Sequence, residues 1–75
     1  MDFNTFQDFA RGAVVDYIRD KYGVEVKKEQ LLMLWFTTAM EIRKMVFWRG
    51  QQVFVVGYND ITEETTIDEY IKKEG

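Results

Sequence analysis

Seventy-five residues provide for one small hydrophobic core and no second domain. The chain has no Cys and no His, which excludes disulfides, thiolate metal sites, imidazole acid–base chemistry and a Ser-His-Asp triad. Ten Lys and Arg against 13 Asp and Glu leave a net charge of −3, which argues against generic nucleic-acid binding, while 47% apolar and 16% aromatic residues are too many for a disordered chain.

The first element is expected from Asn4 to Tyr22. Phe3, Phe6, Ala10, Ala13, Val14, Tyr17 and Ile18 recur at helical spacing. Asn4 and Gln7 have the spacing of a capping box, and Gly23 suits the left-handed residue that ends a helix. A second helix is expected from Lys27 to Lys44. Leu32, Trp35, Ala39 and Ile42 gather on one face, with Met33, Phe36 and Met40 widening it to an apolar arc of roughly 200°. Trp35, Phe36, Ala39 and Ile42 are expected to be buried against Phe6, Ala10, Ala13, Val14 and Tyr17.

After Lys44 the period changes to two. Met45–Trp48 and Val53–Tyr58 flank Arg49-Gly50-Gln51-Gln52 and predict a β-hairpin with Gly50 at positive φ. Asn59-Asp60 turns the chain. Residues 65–73 fit a short helix, with Thr66 and Glu69 as its capping box, or a third strand; the helix is preferred. The expected fold is α+β: two amphipathic helices packed on a β-hairpin, with a short C-terminal helix or third strand.

No cluster of residues demands catalysis. Asp60, Glu63, Glu64, Asp68 and Glu69 are close in sequence, but a paired acid and base need a cleft that a chain this short rarely builds. Asn59, Asp60, Glu63 and Glu64 lack the spacing and the glycine of a calcium loop, and there is no glycine-rich phosphate loop. No enzyme activity, metal or cofactor is therefore expected. The opening lacks a basic segment before an apolar one, and the longest apolar run, Leu31–Phe36, is too short to cross a bilayer. A cytoplasmic protein without membrane contact is expected.

Binding is the remaining class. Residues 59–75 carry Asp60, Glu63, Glu64, Asp68, Glu69 and Glu74 against Lys72 and Lys73, and Asp8, Asp16 and Asp20 add charge along the first helix. Such an acidic face suits the basic, DNA-binding groove of another protein. Lys27, Lys28, Arg43, Lys44 and Arg49, with Trp48 available to stack on a base, define the alternative of a small nucleic-acid-binding or regulatory module. The wide apolar arcs of both helices, with Phe47, Trp48, Phe54 and Val56 on the two faces of the hairpin, exceed what one domain covers and suggest a homodimer, with Val15, Ile18, Tyr22 and Trp48 as self-association residues. A purely structural, oligomerising protein is a further alternative.

Met1–Gln7, Val14–Tyr17, Leu34-Trp35-Phe36 with Lys44 later, Phe54–Asn59, Glu64-Thr65 and Asp68–Lys73 are short motifs that together resemble a family of small, functionally uncharacterised proteins encoded by phages and prophages of Gram-positive bacteria. Trp48-Arg49-Gly50-Gln51 departs from the longer loop of that family. The resemblance implies no catalytic residues. It implies a phage setting, where small acidic proteins inhibit host DNA-handling proteins; the DNA polymerase sliding clamp is the first expected target and a Cas nuclease the second.

Overall fold

A computed structural model describes residues 2–71. Lys72, Lys73 and Glu74, which entered the acidic balance above, lie outside the described residues. The chain forms one helix, α1 (Phe3–Tyr22), a single 3-10 turn (Lys28–Gln30) and four strands: β1 (Leu32–Ala39), β2 (Ile42–Arg49), β3 (Gln52–Asn59) and β4 (Thr65–Ile71). The strands form an antiparallel meander in the order β1-β2-β3-β4, and α1 lies across one face.

Helix α1 follows the sequence closely. Phe6, Ala10, Val14 and Ile18, each four residues apart, form a fully buried stripe. Gly23 has φ 68° and donates its N–H to the Arg19 carbonyl at 2.9 Å, ending the helix as expected. The start differs from the expected Asn4 capping box. Asp2 is the cap: its carboxylate accepts the Thr5 N–H at 2.7 Å, which holds its pKa below the ordinary value.

The second helix is the main correction. Residues 27–44 form the 3-10 turn, β1 and the start of β2. Six consecutive apolar residues, Leu31–Phe36, satisfy a helical period and a strand period equally well. The turn that separates the strands is also concealed. Ala39 pairs with Ile42 across a two-residue loop, Met40-Glu41, which contains none of the usual turn residues. Met40 adopts φ 55° and is 98% exposed, in the position that Gly50 fills at φ 61° in the β2–β3 hairpin. The β2–β3 hairpin was legible because glycine stands at its turn. Residues 65–71 form a strand, so the preferred C-terminal helix and its Thr66–Glu69 capping box do not occur. The fold remains α+β, with one helix on a four-stranded sheet.

The core follows from this arrangement. Met45 and Phe47 of β2 oppose Val56 and Phe54 of β3, and all four lie fully buried under the α1 stripe. Val26 and Leu31 complete the buried cluster. Each such side chain contributes about 1.5–3 kcal/mol when removed from water. Phe36 packs at the margin, edge-on to Phe3 with ring centroids 4.9 Å apart. Trp35 is not a core residue: it is 55% exposed on the opposite side of the sheet, and Ala39 is exposed beside the first hairpin turn.

Candidate interaction surface

Alternation along paired strands assigns every second residue to the face away from α1. Two cross-strand rows on this open face are nearly all apolar. One runs Leu32, Trp48, Val53, Tyr70; the next runs Trp35, Val46, Val55, Asp68. Leu34 is the extra residue of a β-bulge between Met33 and Trp35, and it is exposed beside them. A third row, Thr37, Lys44, Gly57, Thr66, is polar. Leu32, Trp35, Trp48 and Tyr70 are 54%, 55%, 38% and 59% exposed, so this is a broad apolar surface over which the described residues place no second layer. The Trp48 indole N–H donates to the Gly50 carbonyl, which ties the ring to its own hairpin.

A shallow depression of about 210 Å³ adjoins the polar row, lined by Ile42, Lys44, Gly57, Tyr58, Asn59, Glu64 and Thr66. Gly57 shapes it: a Cβ at this position would stand 2.7 Å from the Thr66 hydroxyl oxygen. A second depression, of about 410 Å³, lies between α1 and the start of β1. Arg11 borders it. The guanidinium donates to the Lys28 carbonyl at 2.9 Å and to the Leu31 carbonyl, and lies 5.1 Å from the Phe47 ring centroid. Arg11 thereby fastens the irregular segment before β1 to the helix.

The expected acidic face does not assemble as one surface. Asp60, Glu63 and Glu64 lie on the turn between β3 and β4, while Asp68 stands on the open face opposite Val55. Asp8 pairs with Lys28 at 2.9 Å, Asp16 and Asp20 share Arg19, and Asp60 pairs with Arg43 at 2.9 Å.

Glu69 points to the helix side. Its side chain is only 5% exposed, and it accepts hydrogen bonds from the Tyr17 hydroxyl, the Lys21 ammonium, the Tyr22 hydroxyl and the Gln52 amide at 2.6–3.0 Å. Burial alone raises its pKa, but the donors from Tyr22, Lys21, Gln52 and Tyr17 outweigh burial and hold it at about 2. The Glu69 hydrogen bond correspondingly raises the pKa values of Lys21 and Tyr22. This carboxylate has its donors inside the protein and pins the edge strand β4 to the end of α1.

The other expected residues are similarly dispersed. Lys28 pairs with Asp8, Arg49 donates to Gln52, Lys44 stands on the open face, and Lys27 precedes the 3-10 turn. Among the proposed self-association residues, Ile18 is a core residue at 1% exposure and cannot contact another chain. Val15 packs beside the core, Tyr22 holds Glu69, and only Trp48 reaches the open face. No group of three or more potential metal-ligating His, Cys, Asp or Glu gathers among the described residues. Among them, too, no helix is long and apolar enough to cross a membrane.

Sequence reasoning missed Leu32, Trp35, Val46, Val53, Val55 and Tyr70 as a joint surface. The hairpin's part of it is expected from its two apolar faces; the contributions of β1 and β4 are not. Met45-Val46-Phe47-Trp48 and Val53-Phe54-Val55-Val56 are apolar at odd and even positions alike, so both faces of that hairpin require cover. The chain matches no family model, no curated protein and no solved structure.

Proposed function

We infer that the chain is a noncatalytic binding protein whose working surface is the open face of its sheet. The carrying observation is the pair of apolar rows, Leu32-Trp48-Val53-Tyr70 and Trp35-Val46-Val55, left uncovered by the described residues on a domain whose other face packs against α1. Trp and Tyr are the side chains that most often dominate binding energy, and here they flank a flat aliphatic centre. The complementary surface is therefore apolar and belongs to a protein. The inhibitor role expected of a small phage protein is retained as part of this proposal, with one change. A target is met chiefly through apolar complementarity, because Asp8, Asp16, Asp20, Asp60 and Glu69 are engaged within the chain.

Three immobilised baits separate the two kinds of contact: the wild-type chain, Val55→Lys, and the combined Asp60→Asn, Glu63→Gln, Glu64→Gln variant. The expected result is a partner retained by the wild type and the charge variant and lost by Val55→Lys. Loss with the charge variant alone would return the binding surface to the acidic turn.

A further inference from the structure

We propose that the occupant of the open face is a second copy of this chain, packed sheet to sheet about a two-fold axis. The proposal rests on the reading of that face as the working surface. Three observations select a second copy.

The first is area. Leu32, Leu34, Trp35, Trp48 and Tyr70 are each between 38% and 59% exposed, and the half-buried Val46, Val53 and Val55 lie between them. Together they offer on the order of 700 Å² of largely apolar surface, against the ~800 Å² that each partner contributes to a standard interface. The second is charge. The chain carries −3, yet the ionised groups in the first three rows of this face are Lys44 and Asp68, one of each sign. A neutral face can meet its own copy without net repulsion, and a two-fold operator gives each Lys44 a route toward the opposite Asp68. The third is architecture. A sheet with apolar residues on both faces is the middle layer of a three-layer arrangement. One outer layer is α1; stacking two sheets about 10 Å apart supplies the other and gives the order helix, sheet, sheet, helix.

This arrangement places Trp35 and Trp48 of both copies in the interface. They are the only tryptophans in the chain, so their emission reports this surface and no other. Any other protein that uses the open face must compete with the second copy.

The test combines sedimentation equilibrium with tryptophan emission on the full chain, from low micromolar to hundreds of micromolar. The expected result is a monomer–dimer equilibrium in which the emission moves to shorter wavelength as dimer forms. Val55→Lys, which sets a long side chain and a strongly hydrated ammonium beside Asp68 at the centre of the apolar face, should weaken the dimer at least about tenfold. Tyr70→Lys, at a more exposed position on the same face, should act in the same direction and serves if Val55→Lys fails to fold. A wild-type monomer throughout the range overturns the proposal. So does a dimer whose emission does not change and whose mass survives both substitutions, because it would use another surface. If the chain is monomeric while Val55→Lys still loses a captured protein, the self-pairing fails and the open-face reading stands. If Val55→Lys changes neither association nor capture, both fail.

Discussion

The two faces of the sheet have similar side chains and opposite surroundings. Met45, Phe47, Phe54 and Val56 are fully buried beneath α1. Their neighbours in the same two strands, Val46, Trp48, Val53 and Val55, face away from it. Composition does not distinguish the sets. What distinguishes them is that a single helix of 20 residues can cover only one side of four strands. Apolar alternation therefore reports how many surfaces need cover, and the number of helices reports how many receive it from the chain itself.

Substitutions on matched positions break or support this contrast. Phe47→Ala should cost about 3–5 kcal/mol, enough to unfold much of a domain this small, because it opens a cavity beneath the helix. Trp35→Ala, larger in volume removed but on the open side, should cost less than about 1 kcal/mol in dilute monomer. Urea denaturation at low protein concentration measures both. Equal losses would mean that the two faces are equally enclosed.

A smaller effect sharpens the contrast at the sheet edge. Glu69 has its pKa lowered from the ordinary 4.5 to about 2 by folding. A lowered folded-state pKa means that the unfolded chain binds the proton more readily. The contribution is complete above about pH 4.5 and is lost as the pH falls toward 2. It is on the order of 2 kcal/mol, since Lys21, one of its donors, is half exposed. Thermal melts between pH 6 and pH 3 should show the wild type losing stability faster than Glu69→Gln. Parallel curves would show that β4 is not pinned through this carboxylate.

The smallest expected effect concerns the two tight hairpins. Met40 at φ 55° occupies the backbone state that Gly50 occupies at φ 61°. Met40→Gly should stabilise the fold by up to about 1 kcal/mol, because relief from the left-handed conformation exceeds the entropy that glycine adds to the unfolded chain. Gly50→Ala should act in the opposite direction by a comparable amount. Chemical denaturation resolves both signs, and stabilisation by Gly50→Ala would contradict the turn geometry.

Legibility varied along the chain for identifiable reasons. Helix α1 shows itself through the four-residue spacing of Phe6, Ala10, Val14 and Ile18 and through Gly23. The β2–β3 hairpin shows itself through Gly50 and the β-branched residues beside it. Residues 31–46 do not, because Leu31–Phe36 is apolar at every position and Met40-Glu41 gives no turn signal. Once Trp35 is placed on a helix, it is assigned to the core, and the open face loses one of its principal members. The acidic residues failed differently. Their proximity in sequence says nothing about sidedness on a strand, so adjacent Asp68 and Glu69 diverge to the open face and to the hydrogen-bond donors at the end of α1. Charge near charge in the chain became charge paired with a distant cation in the fold.

The tie between Tyr17 and Glu69 also bears on the order of assembly. Every strand pairs with its neighbour in sequence, and two of the three connections are two-residue turns, so the sheet can grow by short loop closures. The contacts from Tyr17, Lys21 and Tyr22 of α1 to Glu69 of β4 bridge 52, 48 and 47 residues and belong to the slowest class of closure. The helix can form early but acquires its last anchor only when β4 has joined the sheet, so locking of the domain waits on completion of the meander.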